Sequence, residues 1–193
     1  RLALVWTQDD TIWLQEGQWQ AVDRQTIWQP PQAAAASSAP PAVALSDDGR
    51  VYLTWAAADA ILISQCQAGV CDPPTPVAPP AQCERPAGRG NHQPTLAING
   101  RTVLLVWTNE AGILPYAAWP EAATPPTVAT GCVPGGAAAP QLDSAFRLAY
   151  ETAAGGVALA QFDGSSWLAA VKMGDGRFPA IAADVDNLSH LVY

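Results

Sequence analysis

An all-β fold is predicted by three features of this 193-residue sequence. No segment sustains the i, i+3, i+4, i+7 apolar pattern across three turns without a Pro or Gly. The composition, with 18 Pro, 15 Gly and only 13% charged residues, lies far from the Glu-, Lys- and Leu-rich balance of helical proteins, and ordinary domains carry about 25% charge. Short apolar runs recur in pairs, each pair closing on an aromatic at positions 6, 55, 107, 150 and 193, with intervals of 49, 52, 43 and 43. Periods of about 40 to 50 residues with several strands each mark the blades of a β-propeller. The expectation is four-stranded antiparallel blades: four repeats and a partial one. They form either a five-bladed ring with an incomplete blade or an arc of a larger ring.

The elements follow in order within each repeat. A Pro opens the innermost strand, as in Pro41-Ala-Val-Ala-Leu45, Pro94-Thr-Leu-Ala-Ile98, Pro140-Gln-Leu-Asp143 and Pro179-Ala-Ile-Ala-Ala183. Small residues there suit the crowded axis. The second strand ends on the aromatic: Val51 to Trp55, Val103 to Trp107, Phe146 to Tyr150 and Ser189 to Tyr193, with Arg1 to Trp6 matching it at the start. A polar turn leads to a third strand at Thr11 to Gln15, Ala60 to Ser64, Ile113 to Tyr116 and Val157 to Gln161. A fourth, weaker strand is clearest at Glu16 to Val22 and Asp163 to Val171, each opening on a Gly-bearing hairpin signal. The segments Gln29 to Pro41, Asp72 to Gln93 and Thr124 to Pro140 read as Pro-, Ala- and Gly-rich loops. The whole of 1–193 is read as one domain, with repeats at about 1–40, 41–93, 94–139, 140–178 and 179–193. The start at Arg1, inside a strand-like run, resembles a trimmed chain, so the propeller is expected to be part of a larger chain or assembly.

The best-formed repeats, Ala42-Val-Ala-Leu-Ser-Asp-Asp-Gly49 and Ala180-Ile-Ala-Ala-Asp184 with His190-Leu-Val-Tyr193, resemble the blades of sialidase-like and related propellers from exported bacterial proteins. The resemblance covers nearly the whole chain and is one of architecture. It implies six to eight blades and raises the prospect of a glycosidase with an arginine cluster and paired acids at the axis. Asp163-Gly-Ser-Ser-Trp167 is a degenerate form of the sialidase Asp-box and reads as a structural hairpin.

Cys66 and Cys71 straddle a Gly-bearing turn, where cross-strand placement brings Cβ atoms within disulfide range. Cys83 and Cys132 occupy equivalent loops of successive repeats, which predicts a second, inter-blade disulfide. Both point to an oxidising, extracytoplasmic compartment: secreted, periplasmic or cell-surface. Asp143 stands where other repeats have Ala44, Ala97 and Ala182 and is expected to face the channel. Glycoside hydrolysis needs two carboxylates about 5 to 9.5 Å apart, and nothing in the sequence joins Asp143 to Glu151 or Asp184. Of the eight Trp, Trp6, Trp55 and Trp107 are repeat positions and therefore core. Trp13, Trp19, Trp28 and Trp119 are off-pattern and form, with Asp143 and His92, the expected ligand or partner surface. No His stands at zinc spacing from the Cys pairs, and Asp184-Val-Asp186-Asn187 lacks the Gly and distant Glu of a calcium loop. No metal or cofactor is expected.

A net charge of −8 argues against nucleic acid, whose phosphates demand a basic surface. No run reaches 18 apolar residues, so no transmembrane helix is read in the sequence. Without a strong catalytic motif, the residues favour a non-catalytic binding or assembly module for a protein or a glycan. A sialidase-like hydrolase and a structural subunit of a cell-surface or membrane-associated complex are the alternatives.

Overall fold

The computed structural model describes residues 1–193 except 58–59, 78–79, 81–82, 84–90, 110–111, 122, 124–128 and 185, and the side chains of 91–92. All the ladders among the described residues are antiparallel. The first blade holds β1 (Leu2–Gln8), β2 (Thr11–Gln20), β3 (Gln25–Trp28) and β4 (Gln32–Ala36). The second holds β5 (Ala42–Leu45), β6 (Val51–Ala56), β7 (Ile61–Gln67), β8 (Val70–Cys71) and β9 (Thr75–Val77). Two regular four-stranded sheets follow: β10 (Asn91–Asn99) to β13 (Ala129–Cys132), through β11 (Thr102–Asn109) and β12 (Pro115–Pro120), and then β14 (Gly136–Leu142) to β17 (Val171–Gly174), through β15 (Arg147–Thr152) and β16 (Val157–Gln161). The last sheet is the pair β18 (Ala180–Ala183) and β19 (Ser189–Val192).

The structure redraws the outer strands. Glu16 to Gln20 belong to the third strand, β2, and not to a fourth; β3 and β4 both pair with β2, one beyond the other. The stretches read as loops contain β4, β9, β13 and part of β14. Alanine has no strand preference of its own, so the ladder partner decides its state there.

The inner hairpins share one turn. The backbone N–H groups of Ser46, Asp143 and Asp184 each donate to the carbonyl of the residue four further on, Arg50, Arg147 and Leu188, at 2.9 to 3.0 Å. The position before that carbonyl is left-handed in all three: Gly49 (φ 86), Phe146 (φ 61) and Asn187 (φ 62). Glycine and asparagine take that conformation easily, while a bulky residue loses about 1–2 kcal/mol. Phe146 compensates by burial, at 5% exposure, with its ring 6.3 Å from that of Phe162.

This common turn corrects the reading of the fourth repeat. Its hairpin closes at Leu142 opposite Leu148, as the second closes at Leu45 opposite Val51. Pro140 therefore lies two residues nearer the turn than Pro41 does, and Asp143 matches Ser46. The residue equivalent to Ala44 is Gln141. A shift of two leaves the faces of the strand unchanged, so the apolar pattern concealed it.

Each blade buries two faces, and they are not alike. The downstream face of one blade packs on the upstream face of the next. Ile12 and Leu14 of the first blade meet Val51, Leu53 and Trp55 of the second. Tyr52, Ile61 and Ile63 meet Val103, Leu105 and Trp107 of the third. Leu104, Val106 and Tyr116 meet Leu148 and Tyr150 of the fourth. These upstream positions are 0 to 3% exposed, and burying each Leu or Val contributes about 1.5–3 kcal/mol. Tyrosine hydroxyls fasten the arrangement: Tyr52 donates to the carbonyl of Glu121, and Tyr193 to that of Met173.

Candidate functional site

Two hairpins of adjacent blades end at the same place. The β5–β6 turn brings Asp47, Asp48 and Arg50, the β10–β11 turn brings Gly100 and Arg101, and Glu121 follows β12. Together they line a cleft of about 570 Å³. Thr102 lies opposite Pro120, and the backbone N–H of Glu121 donates to the carbonyl of Arg101 at 2.7 Å, so the strand register itself sets Glu121 beside Arg101. Gly100, at φ 57, makes the two-residue turn possible.

The charges in the cleft differ in how fully they are engaged. Arg50 donates to Asp48 Oδ2 through Nε at 2.9 Å and Nη2 at 2.7 Å. The Ser46 hydroxyl, 2.5 Å from Asp48 Oδ1, is the main cause that holds the Asp48 carboxyl below its ordinary range, while Asp48 raises Arg50. Burial, and then the Glu121 charge, push the Tyr52 phenol up to about 12, so it stays a neutral donor at ordinary pH. Glu121 Oε1 is buried without a hydrogen-bond partner among the described residues. A buried carboxylate oxygen without a donor is costly, so this acid is the least satisfied group of the cleft among the described residues. Guanidinium and carboxylate in one cleft recognise a molecule rich in vicinal hydroxyls, which donate to the acid and accept from the base.

A second cavity, of about 490 Å³, opens where the inner strands begin. Its described lining is neutral: Pro40, Pro41, Pro94, Pro179, Gln93 and Gln141 among others. Asp143 is not in it. Buried at 4%, Asp143 accepts from Ala145 N, Arg147 N, Arg147 Nε and Ser189 Oγ at 2.6 to 3.0 Å. It ties the last sheet to the fourth blade instead of facing the channel. The other acids considered are likewise engaged: Glu151 Oε1 accepts Phe178 N, and Asp184 caps its own turn and pairs with His190. The described lining brings neither paired carboxylates nor an arginine cluster together at the axis.

The off-pattern tryptophans separate. Trp119, opposite Val103 on the upstream face of the third blade, is 1% exposed in the junction with the second blade and is not available as surface. Trp19 and Trp28 are 53% and 38% exposed on the projecting β2–β3 hairpin, while Trp13 is half-buried. Gly17 lies opposite Trp28, and a Cβ there would come within 2.7 Å of the indole. Gly17→Ala is expected to swing Trp28 away and cost about 1 kcal/mol, the low end of overpacking penalties because the ring can move outward. A change in tryptophan emission with the fold retained checks this. His92 falls on β10 opposite Thr108; its side chain lies outside the described residues. Both disulfides are present. Cys66–Cys71 bridges the paired strands β7 and β8, and Cys83–Cys132 links the segment after the second blade to β13. Asp163 is held down to about 2 by the N–H groups of Ser166 and Ser165, a closed structural hairpin.

Glu121 carried no signal in the sequence, since no repeat offers an equivalent acid. Arg50 and Arg101 each stand beside a turn, just before β6 and β11, and nothing in the sequence joins them.

A lectin, BP39L from Burkholderia pseudomallei, superposes with a TM-score of 0.54 over 94% of this chain, at 15% identity. A mutant of the Aleuria aurantia lectin in complex with alpha-methyl-L-fucoside gives 0.52 over 98%, at 9% identity. The fold is a β-propeller. The chain spans 59% of the length of the first lectin and 68% of the second. A GH43 endo-arabinanase from Bacillus licheniformis aligns over 97% of this chain and 75% of its own at 12% identity, with a TM-score of 0.41. No protein-family model matches the sequence, and no curated protein is similar to it. The likeness lies in the propeller itself; the narrower resemblance to sialidase-like blades rests on sequence alone.

Proposed function

We propose that this propeller is a non-catalytic carbohydrate-binding module of an extracytoplasmic protein, and that the cleft between its second and third blades holds a neutral sugar. The observation that carries the reading is that Arg101, an exposed base, and Glu121, an acid whose Oε1 has no partner among the described residues, line one cleft. The lectins that share the fold lend it support, and two disulfides suit an oxidising compartment. A single domain over 1–193 belongs to the same reading.

Calorimetric titration of the protein with a panel of neutral monosaccharides tests it. Hydrogen bonds to charged groups contribute about 1.5–3 kcal/mol each, so Arg101→Ala and Glu121→Ala are each expected to weaken binding at least about tenfold. Neither side chain holds the fold together: Arg101 is exposed, and Glu121 takes part in the fold through its backbone. Binding that both variants leave unchanged would place the sugar elsewhere; no binding across the panel would end the proposal.

A further inference from the structure

The cleft between the second and third blades carries two guanidiniums, and they differ. Arg101 is exposed, with no partner for its guanidinium among the described residues. Arg50 is held by Asp48, whose Oδ2 accepts from Nε at 2.9 Å and from Nη2 at 2.7 Å. Nε and Nη2 form one edge of the guanidinium, and such an edge is where a carboxylate binds through two parallel bonds. Asp48 therefore fills a place that a ligand carboxylate could take, and cancels the charge that would attract it.

The hairpin turn does not depend on this pair. Ser46 N–H donates to the Arg50 carbonyl, Gly49 N–H to the Ser46 carbonyl and Arg50 N–H to Ser46 Oγ. The Asp143–Arg147 pair of the fourth blade is different: the Asp143 side chain is fully buried there and bonds to Ser189 of the last sheet. The Asp48 and Arg50 side chains are 47% and 32% exposed, and an exposed pair contributes little to stability. What the pair does set is the character of the cleft. Asp48 Oδ1 accepts the Ser46 hydroxyl and the Arg50 N–H, which fixes the carboxylate in place.

We infer that Asp48 keeps acidic sugars out of this cleft by occupying Arg50, and so reserves it for uncharged ones. The inference rests on the cleft's being a sugar site and adds the class that the site rejects. A uronic acid entering beside Arg50 would set its carboxylate against those of Asp47, Asp48 and Glu121, all in the lining, with one guanidinium already neutralised. Repulsion of this kind discriminates between ligands as well as attraction does. A neutral sugar offers the same hydroxyls without the charge, so it meets none of that repulsion.

Calorimetric titration with two matched pairs, glucose with glucuronate and galactose with galacturonate, at one salt concentration tests it. Asp48→Ala frees the Arg50 edge and is expected to tighten the binding of at least one uronate about tenfold or more, as hydrogen bonds to a charged group do. Asp47→Ala removes a charge from the same lining without freeing that edge. It should change uronate binding at most about fivefold, the scale of an exposed charge. Arg50→Ala added to Asp48→Ala should abolish the gain. Uronate binding that Asp48→Ala leaves unchanged, an equal gain in Asp47→Ala, or a gain that survives the loss of Arg50 would each overturn the inference. Failure of the sugar reading shows separately, as a wild type that binds no neutral sugar of the panel. Circular dichroism confirms folding, and Asp48→Asn, which keeps an acceptor for the Ser46 hydroxyl, replaces Asp48→Ala if that variant fails to fold.

Discussion

Asp143→Ala is expected to lower the unfolding free energy by about 3–5 kcal/mol, the usual cost of removing one partner from a buried ion pair. The Asp143 side chain is fully buried and that of Arg147 only 18% exposed, with Nε to Oδ2 at 2.8 Å. The carboxylate has three tasks at once. Oδ1 closes the β14–β15 turn through the N–H groups of Ala145 and Arg147. Oδ2 balances the guanidinium and also accepts the Ser189 hydroxyl from the last sheet. Alanine would leave Arg147 buried beside no anion, and Arg147 Nη2 already lacks a partner among the described residues. Urea unfolding at neutral pH measures the loss. Asp143→Asn, which keeps the turn acceptor, should lose less. Arg147→Met in the Asp143→Ala background should recover part of it, because the uncompensated charge goes too. A loss below about 1 kcal/mol, typical of an exposed pair, would contradict this account.

Loss of the Cys83–Cys132 bridge is the second large effect. It spans 49 residues, against 5 for Cys66–Cys71. Loop-closure entropy in the unfolded chain predicts about 4 kcal/mol for the long bridge and about 2 for the short one. The long bridge also crosses from the segment after the second blade to the fourth strand of the third, so the unbridged chain should lose stability across that junction. Cys83→Ala with Cys132→Ala, compared with Cys66→Ala with Cys71→Ala by denaturant unfolding, gives the ratio. Equal losses would mean that chain entropy is not what these bridges act on.

Much of the fold was legible because blades repeat. An aromatic every 43 to 52 residues, with an apolar strand leading to it, located the second strands of the blades. The Gly-bearing turn between Cys66 and Cys71 marked the β7–β8 hairpin in the same way. What the pattern missed follows from period-two strands: a slip of two residues preserves the faces, so aligning Pro140 with Pro41 put Asp143 in the wrong place. The tryptophans show the other limit. Trp119 and Trp28 both lie on upstream faces, yet one is 1% and the other 38% exposed. The difference is whether another blade covers the face, which no local pattern records.

By itself, then, the sequence determined the all-β class, the repeat length and the cysteine hairpin, since strand period, turn residues and short loops are local properties. Tertiary structure alone decided the cleft and the junctions between blades. Glu121, Arg101 and Arg50 come together because two hairpins of neighbouring blades end at one level, and Trp119 is buried because the second blade packs on it. Both are relations between blades, and such a relation is written in the packing of faces and not in the residues of either blade.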